Sequence, residues 1–210
     1  MQIITVVCGA LATNTYIVYE DGSQDCVIID PADGAAALNA LKECGKTCTH
    51  ILLTHGHFDH IYGVAEVKRA TNAEICIHEE DAAALHSGRA NLALLIRERI
   101  EPTHADRLLK EGDVIEAAGL KFRVIHTPGH TAGGVLYAVD EHRAAFCGDT
   151  VFYESVGRTD LPGSSTRDLI DSFFNKVLPL TGYRLYPGHE EETTVAHEAQ
   201  HNPLIAYYRR

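Results

Sequence analysis

His50-Ile51-Leu52-Leu53-Thr54 runs straight into His55-Gly56-His57-Phe58-Asp59-His60, and the fold turns on that junction. The first five residues are the short apolar run of a buried strand. The next six carry three imidazoles and a carboxylate. With 13 His in 210 residues, the composition yields about 0.003 HxHxDH strings by chance. On a helix, positions 55 and 59 would share one face while 57 pointed elsewhere. A strand-to-turn path, eased by Gly56, instead brings all four side chains around one volume. Groups of this kind are costly to desolvate together without a cation among them. The motif reads as a metal centre at the end of a strand.

Outward from this junction the chain alternates strands and helices. Upstream, 2–8, 14–20 and 26–30 read as strands, and 34–44 as an amphipathic helix stopped by Gly45. Downstream, 62–71 reads as helix and 73–78 as strand, while 79–109 reads as mostly helical or irregular. From 113 strands resume. In 120–126, Leu120, Phe122 and Val124 alternate with Lys121 and Arg123 as on a half-buried strand. Residues 135–140 and 143–149 read as a hairpin around Glu141-His142, 166–178 as helix, 183–186 as strand and 192–201 as helix. Two groups of strands interleaved with helices predict two sheets packed face to face with helices outside, a four-layer α/β arrangement. No linker or composition shift divides the sequence, so one domain over 1–210 is expected.

Three more residues fit the same chemistry. His130 follows the strand at 120–126, Asp149 the strand at 143–147, and His189 the strand at 183–186. Each comes directly after Gly, and active sites of α/β sheets favour that strand edge. The set comprises five imidazoles and two carboxylates with no thiolate. It suits zinc, iron or manganese and argues against a closed structural zinc site. Seven donors are too many for one tetrahedral ion and about right for two, with Asp149 as the natural bridge.

The remaining composition narrows the function classes. A net charge of −11 is the opposite of a nucleic-acid footprint and disfavours acidic lipid. No apolar stretch reaches membrane-spanning length, and the opening residues lack a signal-peptide pattern. Six scattered cysteines without a CxxC pair read as reduced thiols. A cytoplasmic enzyme is expected, acting on a small molecule without an obligate protein partner.

HxHxDH, then Thr127-Pro128-Gly129-His130-Thr131, Gly148-Asp149 and Gly188-His189, in this order, resemble the metallo-beta-lactamase superfamily. The resemblance implies an αββα sandwich, one ion on His55, His57 and His130, a second on Asp59, His60 and His189, and Asp149 between them. Gly157-Arg158-Thr159-Asp160-Leu161-Pro162-Gly163 and the tail with Thr193-Thr194 and Asn202-Pro203 look like the small glyoxalase II-like hydrolases. That likeness implies a dinuclear metallohydrolase, with zinc the first choice of ion, acting on a thioester such as a hydroxyacyl-glutathione. Asp59 would orient the attacking water, and Arg158 with Asp160 would support the site from outside. The rival reading is a mononuclear iron dioxygenase acting on a persulfide, held by His55, His130 and Asp149. Arg89, Arg97, Arg99 and Arg107 in segment 85–110 either cover the site and attract an anion or form a solvated face.

Overall fold

The computed structural model describes residues 1–208, with side chains through Ile205. One sheet follows sequence order: β1 (Gln2–Cys8), β2 (Thr13–Tyr19), β3 (Asp25–Ile29), β4 (Thr47–Leu52), β5 (Glu74–His78) and β6 (Arg107–Leu109). Its first three strands are antiparallel, and β3 to β6 run parallel. The second half supplies β7 (Val114–Ala117), β8 (Leu120–His126), β9 (Val135–Val139), β10 (Ala144–Gly148), the small hairpin β11 (Val151–Phe152) and β12 (Ser155–Val156), β13 (Arg184–Pro187) and β14 (Thr193–Thr194). These make a second six-stranded sheet in the order β14-β13-β10-β9-β8-β7, with the hairpin apart. Its strands are antiparallel except for the parallel pair β10 and β13.

Alternation along each strand explains the layers. In β3, Val27 and Ile29 face the second sheet, packing with Leu52, Phe122, Tyr137 and Phe146. Cys26 and Ile28 point the other way, onto α1 (Gly34–Cys44) and α3 (Val64–Thr71), through Ala37, Leu41, Val64 and Val67. Covered on both faces, the strand reads as one unbroken apolar run. The outer face of the second sheet, with Ile125, Leu136, Ala138 and Leu185, packs on Phe173, Val177 and Val195. The first two of these extend the helix Thr166–Ser172 through a wider turn, Phe173–Val177, and the third opens the helix Val195–His201. Helix, sheet, sheet, helix is the expected four-layer sandwich. All six cysteines are free thiols. Among the described residues no helix is long and apolar enough to cross a membrane.

Local differences have local causes. The motif is not one turn: Phe58–Ile61 forms a short helix (α2) entered through an extended His57. The expected helix 192–201 begins only at Val195, because Thr193 and Thr194 pair with Leu185 and Arg184, and the Thr194 hydroxyl caps the helix by accepting from His197 N–H. Segment 79–109 holds short 3-10 turns and the strand β6, whose three residues are too few to show a period. The hairpin of β11 and β12 was equally below sequence resolution.

Candidate metal centre

All seven expected donors meet at the edge where β3, β4, β8, β10 and β13 end. His55, His57 and His130 bring nitrogens within 4.8 Å of one another, and Asp59, His60 and His189 do the same with a carboxylate oxygen. Asp149 lies between the two groups. Its Oδ1 is 3.2 Å from His60 Nε2, and its Oδ2 is 3.3 Å from His130 Nε2 and 3.6 Å from His189 Nε2. Except for the partly exposed His189 and the seam at Asp149, these side chains are buried.

The loops are clamped in place by bonds between the sheets. Asn14 on β2 donates its side-chain amide to Pro187 and Glu190 carbonyls, and its N–H to Gly188 O at 2.7 Å. Tyr137 on β9 donates to Leu53 O at 2.7 Å, and Val135 N–H to Thr54 O at 2.8 Å. These bonds fix the loops that carry His189 and His55. Gly188 is needed for close approach. A Cβ there would stand 2.3 Å from Asp149 Oδ1 and 2.5 Å from the His60 ring.

Each imidazole is oriented by a partner on its far side. His60 Nδ1–H donates to Asp30 Oδ2 at 2.8 Å. The Thr54 hydroxyl donates to the same oxygen at 2.5 Å and accepts from His55 Nδ1–H at 3.1 Å. His130 Nδ1–H donates to the carbonyl of Arg158 at 2.8 Å. These assignments follow from the network, and they turn the Nε2 lone pairs of His55, His60 and His130 inward. Those three nitrogens and Asp149 Oδ1 are buried without a hydrogen-bond partner. His60 Nε2 and Asp149 Oδ1 are close but not aligned for a hydrogen bond. Converging, unpaired lone pairs on well-supported imidazoles are what divalent cations require, so the donor set fits a metal.

The charges differ between the two groups. Burial, reinforced by neighbouring imidazoles, pushes His55 far down, and burial with His130 alongside takes His57 down to about 3. Burial also opposes a charge on His60, but Asp149, Asp59 and Asp30 overcome it and hold the imidazole well above its ordinary value. His189 is raised too: burial pulls it down, and the bond to Asp59 and the charge of Asp149 prevail. Asp59 and Asp149 are pushed up by burial but held low by the same imidazoles.

Asp30, Thr54 and Asp81 belong to the centre without having stood out in the sequence. Asp30 closes β3 with φ +49°, a strained position for a side chain with a Cβ. It ends a strand just as Asp149 does, and that signal was available. Asp81 is buried after β5. Its Oδ2 accepts Gly56 N–H at 2.9 Å and its Oδ1 accepts Gly133 N–H at 2.8 Å. One carboxylate thus joins the loop of His55 and His57 to that of His130. Arg158 and Asp160 pair with each other at 2.7 and 2.8 Å on the surface, and Arg158 meets the centre only through its carbonyl. Cys147 is a buried thiol donating to Val151 O, its pKa raised by burial. His126, at the end of β8, stacks on His78 and bonds to Ala132 O.

Known proteins place this geometry. The family profile of the metallo-beta-lactamase superfamily matches residues 8–189. A hydroxyacylglutathione hydrolase of Haemophilus influenzae is 31% identical over 98% of each chain. Among solved structures, the B3 metallo-beta-lactamase BLEG-1 superposes with a TM-score of 0.92 at 35% identity, covering 97% of this chain and 99% of that one. TTHA1623 in a di-iron-bound form gives 0.85 at 36% identity, covering 95% and 98%. ETHE1 from Myxococcus xanthus gives 0.82 at 26% identity, covering 98% and 85%.

Proposed function

This chain belongs to the metallo-beta-lactamase superfamily, and from that premise we propose that it is a metallo-hydrolase that cleaves thioesters, with a hydroxyacyl-glutathione as substrate and two zinc ions as cofactors. The observation that carries the reading is Asp149, whose two oxygens face imidazoles of both groups, so that one carboxylate would be available to two ions. His55, His57 and His130 would hold one ion, and Asp59, His60 and His189 the other. The proposal includes one domain over 1–210 and a small-molecule substrate taken without a protein partner in the cytoplasm.

Two divalent ions, when bound, supply hydroxide near neutral pH and polarise the carbonyl under attack. The chain itself supplies geometry and charge. Asp59 is kept ionised beside His60 and His189, with Thr13 Oγ1 at 3.4 Å from its Oδ2, and as a fixed acceptor it orients the attacking water. Hydrolysis adds water across the C–S bond and releases a carboxylic acid and a thiol. With an ordinary pKa of about 8.5, a thiol departs as thiolate with little help from an acid.

A second reading is an iron oxygenase acting on a glutathione persulfide. His55, His130 and Asp149, whose Oδ2 lies 3.3 Å from His130 Nε2, would supply a two-histidine, one-carboxylate set. Metal analysis of protein purified without chelator, with assays on lactoyl-glutathione, glutathione persulfide and a β-lactam, tests both. Two equivalents of metal with thioester cleavage, abolished in His60→Ala, support the hydrolase. One equivalent of iron with persulfide-dependent oxygen uptake that survives His60→Ala replaces it, and β-lactam turnover without thioester cleavage overturns the substrate.

A further inference from the structure

The donors open onto a cleft of about 610 Å³ floored by His57, Asp59, His130, Asp149 and His189. Much of its lining is apolar: Leu11, Leu92, Leu95, Ile96, Phe152 and Val156. Leu11, Leu95 and Ile96 are 54%, 66% and 47% exposed, a concentration of bare apolar surface at one mouth that marks a binding surface. The wall is built rather than loose. The 3-10 turn Ala93–Ile96 is bracketed by Leu92 at φ +67° and Arg97 at φ +60°, left-handed positions that side chains rarely adopt. Buried Asn91 holds it there. Its Nδ2 donates to Ala84 O, its Oδ1 accepts Ala93 N–H, and its carbonyl accepts Phe58 N–H from within the HxHxDH motif.

The cleft offers little to a charged acyl group. Arg89, Arg97, Arg99 and Arg107 line none of it; segment 85–110 contributes Leu92, Leu95 and Ile96 instead. Of the described residues on these walls, Arg158 carries the one permanent positive charge, and its guanidinium is engaged at two points by Asp160. Glu190 adds a negative charge, as do Asp33 and Glu98 in the adjoining recess past Phe58.

We propose that the thioester selected by this enzyme carries an uncharged, apolar acyl group of several carbons, seated between the Leu92–Ile96 turn and Phe152, with its carbonyl over the donors. This rests on the thioesterase reading and revises its acyl group, because a small hydroxyacyl group leaves these walls bare.

The test uses the zinc-loaded full chain and glutathione thioesters of lactate, butyrate, hexanoate and octanoate. Calorimetry runs in parallel with the uncleavable S-alkyl-glutathione thioethers of matching length. The expected result is a kcat/KM and a thioether affinity that each rise about three- to fourfold per methylene. The slope should flatten in the surface variant Leu95→Ser/Ile96→Ser, whose melting curve checks folding. Thioesters cleaved at rates independent of chain length, or lactoyl-glutathione preferred to octanoyl, would overturn the inference while leaving the thioesterase standing. A chain-length slope in thioether binding with no thioester cleaved would instead keep the apolar site and overturn the thioesterase.

Discussion

The two halves of the centre solve the same problem with opposite electrostatics. His55, His57 and His130 gather imidazoles with no carboxylate in their own set, and His55 and His57 are held neutral by burial and mutual repulsion. In the other half Asp59 sits between His60 and His189, with Asp149 and Asp30 adjoining, and the imidazoles favour their protons. Their supports differ as well. Asp30 binds a donor side chain directly, through His60 Nδ1, whereas Asp81 touches only the amides of Gly56 and Gly133. Asp30 also reaches His55, but only through the Thr54 hydroxyl, so the first half is supported at one remove and by its backbone.

The strongest way to break this comparison is Asp30→Asn. It removes the charge facing His60 and leaves an amide that cannot accept from Thr54 N–H, Thr54 Oγ1–H and His60 Nδ1–H together. Chelator competition should find the equivalent on His60 weakened about 10- to 100-fold, and the one on His55, reached only through Thr54, weakened less. If both equivalents weaken alike, the halves are not separately supported.

Asp81→Ala should act on the other half. Two buried amides lose their acceptor at about 1–3 kcal/mol each, visible as a lower urea midpoint, and the ion on His55, His57 and His130 should bind about tenfold more weakly. Unchanged affinity at that ion would reduce Asp81 to a purely structural clamp.

Acid sharpens the contrast without mutation. A cation must displace protons from groups whose metal-free pKa is raised, and it finds lone pairs already available on groups whose pKa is depressed. Metal affinity at the half with His60 and His189 should therefore fall as pH drops below their raised values, while His55 and His57 stay deprotonated well below their ordinary pKa of about 6.5. Metal content measured against pH should step from two equivalents to one before the last is lost. A single joint step would sink the idea.

The smallest effect is expected at Arg158→Ala. An exposed pair two residues apart is screened by solvent and contributes little, and the carbonyl that orients His130 survives the change. A melting temperature shifted by many degrees would show that the side chain also holds this loop.

The seven donors were legible because each announces itself locally, either as a six-residue motif or as His or Asp after Gly at a strand end. The layers were legible from period-two and unbroken apolar runs such as Cys26–Ile29. The supports were less so, because their meaning lies at a distance. Asp30 acts on a histidine 30 positions away, and Asp81 on an amide 52 positions away. Arg158 stood out for its guanidinium, yet its carbonyl reaches the centre, and a carbonyl leaves no trace in composition. The arginines of segment 85–110 drew notice as charges, while the apolar residues between them form the wall.

The first sheet brings His55 to His60 and the second brings His130, Asp149 and His189. Neither half of the chain holds a complete set for either proposed ion, since each set draws a residue from both sheets. Any ion seated there is a rivet through the seam, and the protein can be loaded only after its two halves have docked. Metal uptake then reports on assembly as well as on catalytic readiness: a chain whose sheets have slipped apart, by damage or by incomplete folding, would surrender its metal before it unfolded.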